Sequence, residues 1–140
     1  MAESNFLLFK SADQILALEA EYSRQVVPLE QLYGIPGVSG AILGLIPAAG
    51  RALPVIDLVK LVGLGSGAAN SLALICEIDG ESLALPVEQV IGFVREEVSY
   101  DSDLLSEEML IGGYFGGGHK GRVINPNALM TALQNRVLSA

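Results

Sequence analysis

The chain has 140 residues, the size of one ordinary domain that buries about two thirds of the surface its unfolded form exposes. An apolar content of 51% and a mean hydropathy of +0.47 exclude a disordered chain and leave apolar side chains over for the surface, where contiguous patches mark partners. With 8 basic against 16 acidic residues, the net charge of −8 repels phosphate backbones and anionic headgroups, which argues against nucleic acid or a membrane surface as the primary ligand.

Taken in chain order, short apolar runs separated by turn residues dominate. The N-terminus has neither the basic region nor the long apolar run of a signal peptide, and a lone Cys76 permits no intramolecular disulfide. Both point to a reducing, intracellular setting. Runs at 6–9 and 15–18 flank turn residues 10–13 and predict a hairpin. Residues 31–50 carry no charge over the length of a membrane-spanning helix, but Gly34, Pro36, Gly37, Gly40, Gly44 and Pro47 break such a helix repeatedly. Runs at 41–46 and 52–56 then flank a turn at 47–51. Asp57 is a good cap for a short helix running to Val62 and stopping at Gly63.

Residues 63–68 satisfy the letters of the dinucleotide fingerprint G-x-G-x-x-G/A. That fingerprint needs a strand before it and a helix after it, and here the order is reversed, so the segment reads as a flexible linker between halves. Runs at 72–78 and 82–85 flank Asp79 and Gly80, a pair suited to the positive φ angles of a tight hairpin turn. The pattern Leu-Ala-Leu-x-x-Glu occurs at 16–21 and again 67 positions later at 83–88, and mixed polar and apolar stretches follow at 22–27 and 89–94. A repeat of that length is too long for a solenoid and fits a small barrel, with two barrels packed face to face and a groove where they meet. Asn125 and Pro126 open the last helix, whose Leu129, Met130, Leu133, Val137 and Leu138 share one face.

Chemistry finds little to work with. His119, the only histidine, sits in the glycine-rich run 116–121, which lacks the G-K-S/T order of a phosphate loop, and reads as exposed and solvated; Cys76 sits in an apolar run and reads as an inert thiol. One His and one Cys cannot complete a zinc shell, no G-x-S-x-G elbow is present, and no carboxylate spacing singles out an acid and base pair. No catalytic residue, metal or cofactor is assigned. The acidic stretch of Glu96, Glu97, Asp101, Asp103, Glu107 and Glu108 is a solvated loop or a docking surface for a basic partner.

The segment 44–63 resembles the signature of CheW-type coupling domains, the adaptors of bacterial chemotaxis, in which G-hydrophobic-I-N-L-R-G is followed by P-V-hydrophobic-D-L and a short helix ending in L-G. Gly44, Gly50, Pro54, Val55, Asp57, Leu58 and Gly63 match that pattern. The resemblance implies a mainly β fold of two SH3-like five-stranded barrels with short helices and a C-terminal helix. It places one subdomain at about 15–66 and the other at about 72–124, with strand 6–9 and helix 126–138 packed on them. It further implies a cytoplasmic, non-enzymatic scaffold between the cytoplasmic tips of methyl-accepting chemoreceptors and the regulatory domain of a CheA-type histidine kinase. Pro54, Val55 and Leu58 read as core and Asp57 as a helix cap.

Departures from the pattern fall at the turn. Pro47 and Ala49 stand where the family has the Asn and Arg of N-L-R-G, and Gln25 stands where an acidic residue is common. Arginine there would pair with carboxylates and alanine cannot. The residues assigned to partner contact are Gln25, Gly44, Pro47, Ala49 and Arg51, the last a partial substitute for the missing cation. Two other readings stand beside coupling: self-association, as a homodimer or with another coupling protein, and a small-molecule or enzymatic role for the groove between barrels.

Overall fold

The computed structural model describes residues 4–11, 13–30, 32–34, 42–48, 50–61, 71–96, 99–100, 110–114 and 120–138. In chain order the elements are β1 (Ser4–Ser11), β2 (Gln14–Glu19), a 3-10 turn (Ala20–Tyr22), β3 (Ser23–Pro28), β4 (Ile42–Ala48), β5 (Arg51–Ile56) and α1 (Leu58–Leu61). There follow β6 (Leu72–Ile78), β7 (Glu81–Val87), β8 (Gln89–Glu96), β9 (Ser99–Tyr100), β10 (Leu110–Tyr114), β11 (Lys120–Ile124) and α2 (Pro126–Leu138).

The hairpins expected from sequence form, and their turns show why. Asp13 takes φ 65° between β1 and β2, while Asp79 and Gly80 take 52° and 81° between β6 and β7, the left-handed values that Asp and Gly tolerate best. The helices start where capping residues stand. Asp57 Oδ1 accepts the Lys60 N–H at 3.2 Å, and Asn125 Oδ1 accepts the Ala128 N–H at 3.1 Å, each satisfying a donor that a helix start leaves unpaired.

The strands make two sheets, ordered β8-β1-β2-β11-β10-β9 and β3-β6-β7-β5-β4. Each closes on itself. β8 and β9 lie at opposite ends of the first sheet yet are consecutive in sequence, so one stretch of chain joins both edges. In the second, the chain leaving β3 returns at Tyr33, whose N–H donates to the Leu45 carbonyl (2.8 Å) and whose carbonyl accepts from the Leu45 N–H (2.7 Å). These are the two SH3-like barrels of a mainly β domain.

The first barrel is built from two separated stretches of chain and the second from one continuous stretch, 23–87, lying between them in sequence, where the sequence suggested a division at 15–66 and 72–124. The first barrel takes β1, β2 and β8 to β11; the second takes β3 to β7. The crossings are short: the 3-10 turn after β2, and Glu88 alone after β7, carry the chain onward into the other sheet. The N-terminal strand is likewise no appendage, because β1 lies between β2 and β8 inside the first sheet.

Burial follows the strand alternation. Phe6, Leu8, Ala17 and Val123 fill the first barrel, and Ile46, Leu53, Val55, Ala73, Ile75 and Ala84 fill the second. A larger cluster joins the barrels, with Leu7, Phe9, Leu16 and Leu18 from the first sheet against Leu74, Cys76, Leu83 and Leu85 from the second. Leu129 and Leu133 of α2 belong to that shared core, as the amphipathic reading of the helix expects.

Candidate functional site

The β4–β5 hairpin pairs Leu45 with Pro54, Pro47 with Ala52 and Ala48 with Arg51, and Gly50 lies at its turn. Gly50 has φ 74°, a left-handed angle that glycine adopts at no steric cost. Pro54 brings no N–H to the ladder, and β5 tolerates this because its bridge to β7 falls at the next residue, Val55, opposite Ala84.

Beside this hairpin lies a hollow of about 440 Å3, lined by Tyr33, Leu45, Pro47, Gly50, Arg51 and Ala52 among others. Among the described residues its walls are mostly apolar, and Arg51 is the one charged side chain on them. A smaller hollow of about 120 Å3 is lined by Pro28, Glu30, Ile46 and Pro47, so that Ile46 and Pro47 line both. Tyr33 is 56% exposed and Leu32 44%, so one rim of this surface is apolar and open to solvent.

Gly44 is indispensable to this arrangement without being part of its surface. It is buried at φ 150°, and a β-carbon on it would collide with the backbone carbonyl of Tyr33. Its role is to let the closing segment sit down on β4. Pro47 and Arg51 are exposed beside the hollow, while Ala49 lies outside the described residues. Gln25 is exposed on β3 opposite Ile75 and lines neither hollow. Val55 is fully buried, Leu58 is 2% exposed, Asp57 is buried as the cap of α1, and Gly63 lies outside the described residues, as do the linker at 63–68 and His119.

Sequence reasoning missed Tyr33. Its signal was present, because Tyr100 stands 67 positions further on and performs the same closure against Gly113 in the first barrel.

Burial pushes the Cys76 thiol up to about 12, far from a reactive thiolate. Burial first, then a hydrogen bond and the negative charge of Glu21, holds the Glu19 carboxyl above its ordinary value. Among the described residues no three metal-ligating side chains come together, and no helix is long and apolar enough to cross a membrane.

The family model of the CheW-like domain matches residues 5–130, from β1 into α2. The chain belongs to the CheW-like domain family. Its fold is similar to that in the crystal structure of scaffolding protein TtCheW from Thermoanaerobacter tengcongensis, with a TM-score of 0.76 at 21% identity over 88% of this chain and 89% of that one. No curated protein matches it in sequence. In this CheW-like domain Val55, Asp57 and Leu58 of the signature segment are buried and Pro54 is half-buried, and the hollow lies on the same hairpin.

Proposed function

We propose that this CheW-like chain is a non-catalytic adaptor of a bacterial chemosensory pathway. It works in the cytoplasm, at receptor arrays, tying the tips of methyl-accepting chemoreceptors to the regulatory domain of a CheA-type histidine kinase. The observation that carries this reading is the open apolar hollow beside the β4–β5 turn, with Tyr33 on its wall and Arg51 as the one cation among its described lining residues. An adaptor needs such a surface and no reactive group, since apolar anchors with a few polar partners supply most of the energy of protein association. Pro47 and Ala49 replace the polar Asn and Arg of the family pattern, so docking here rests on apolar contact and Arg51.

The test is binding to the isolated kinase regulatory domain by calorimetry or size-exclusion chromatography. Micromolar association that weakens about tenfold or more in Arg51→Glu and in Tyr33→Ala is the expected result. Absence of binding at tens of micromolar overturns it.

A second reading rests on those same replacements. Without the arginine that would pair with carboxylates, the chain pairs with itself or with another coupling protein in place of the kinase. A homodimer in solution that excludes the kinase domain is the outcome that favours it.

A further inference from the structure

Offset by 67 positions, the chain repeats its strand pairings as well as its letters. Phe9 faces Leu16 as Cys76 faces Leu83; Leu7 faces Phe93 as Leu74 faces Val26. The bulges coincide too. Against β1 the register slips past Ile91, and against β6 it slips past Arg24, the same place in the two repeats. From β4 and β10 onward the offset is 68: Val55 bridges Ala84 as Val123 bridges Ala17, and the caps Asp57 and Asn125 correspond.

In both repeats the third strand leaves its own hairpin. β3 follows β2 in sequence but pairs with β6 of the second repeat, and β8 follows β7 but pairs with β1 of the first. Each crossing is held at equivalent places. At one, the Glu88 N–H donates to the Lys10 carbonyl at 2.8 Å, the Lys10 ammonium lies 3.4 Å from the Glu88 carboxylate, and the buried Ser11 hydroxyl donates to the Pro86 carbonyl at 3.0 Å. At the other, Arg24 lies 3.3 Å from Glu77, the counterpart of Lys10, and donates to the Glu21 carbonyl at 2.6 Å.

We infer that this reciprocal exchange, in which β3 to β5 of the first repeat join β6 and β7 while β8 to β11 of the second join β1 and β2, is a locking device that makes the two barrels one cooperative unit, so that neither opens without the other. Removing β8 from the first barrel pulls on β7, which lies between β6 and β5 in the second sheet; removing β3 from the second pulls on β2, which lies between β1 and β11 in the first. The shared core of Leu7, Phe9, Leu74 and Cys76 is uncovered by either event. Sub-global opening, the usual behaviour of adjoining substructures, is thereby suppressed.

Native-state hydrogen exchange on the full chain tests this, with Phe6→Ala placed inside the first barrel only. The slowest amides of β1 and β8 and those of β4 and β5 are expected to accelerate together, by a common factor of about 100 or more. Acceleration confined to the first sheet, with β4 and β5 unchanged, overturns the inference. Val123→Ala, a smaller deletion in the same barrel, gives the same two readings at lower amplitude if Phe6→Ala does not fold. Two separate transitions in urea for either variant also overturn it.

Discussion

Gly44 and Tyr33 fit together only because Gly44 has no side chain: a β-carbon there would run into the Tyr33 carbonyl, which pairs with Leu45 to close the second barrel. Gly44→Ala is therefore expected to destabilise the fold by on the order of 2 kcal/mol, from backbone strain at φ 150° together with the displaced closing segment. Urea unfolding measures it. Tyr33→Ala keeps the backbone pairing, and a stability within about 1 kcal/mol of the parent separates the two effects.

At each helix start a side-chain oxygen accepts a backbone N–H. Asp57→Ala and Asn125→Ala each are expected to cost about 1 kcal/mol, since each frees one helix N–H. Asp57→Asn keeps an accepting oxygen and is expected to lose less. The measurement is again the urea midpoint at unchanged slope.

Glu19 gives the fold a pH dependence of known sign. Its folded-state value is raised, chiefly by burial and then by Glu21, so its contribution is fully present below the unfolded carboxyl value and fades as pH rises through the folded one. Glu19→Gln is thus expected to melt higher than the parent at pH 7 and to match it near pH 3, where both side chains are neutral. A variant less stable at pH 7 would contradict this.

Cys76 reports on the whole molecule. Buried in the core between barrels and pushed up to about 12, its thiol is expected to ignore a maleimide reagent at pH 8 in the native state and to react only through unfolding. Labelling as fast as that of a free thiol would refute the burial.

The turn supplies a gain-of-function prediction. Ala49→Arg restores the cation of the family pattern and is expected to tighten binding to a kinase regulatory domain by about tenfold, as one charge-assisted pair allows. Unchanged affinity would place the contact elsewhere on the barrel.

Short-range features were legible in the sequence because their physics is short-range. Asp79 and Gly80 dictate a tight turn, Asp57 and Asn125 start helices, and alternating apolar residues mark strands, all within a few residues of one another. The repeated Leu-Ala-Leu-x-x-Glu unit even revealed the duplication. What only the tertiary structure decided is which strand joins which barrel. Nothing in the 3-10 turn after β2, or in Glu88 after β7, states whether the chain turns back or crosses over, because that choice is settled by pairings such as Val26 with Leu74 and Phe93 with Leu7, far apart in sequence. The same distance hid Tyr33 from the residues assigned to partner contact and gave Gly44 a surface role in place of its position beneath the closing segment at Tyr33.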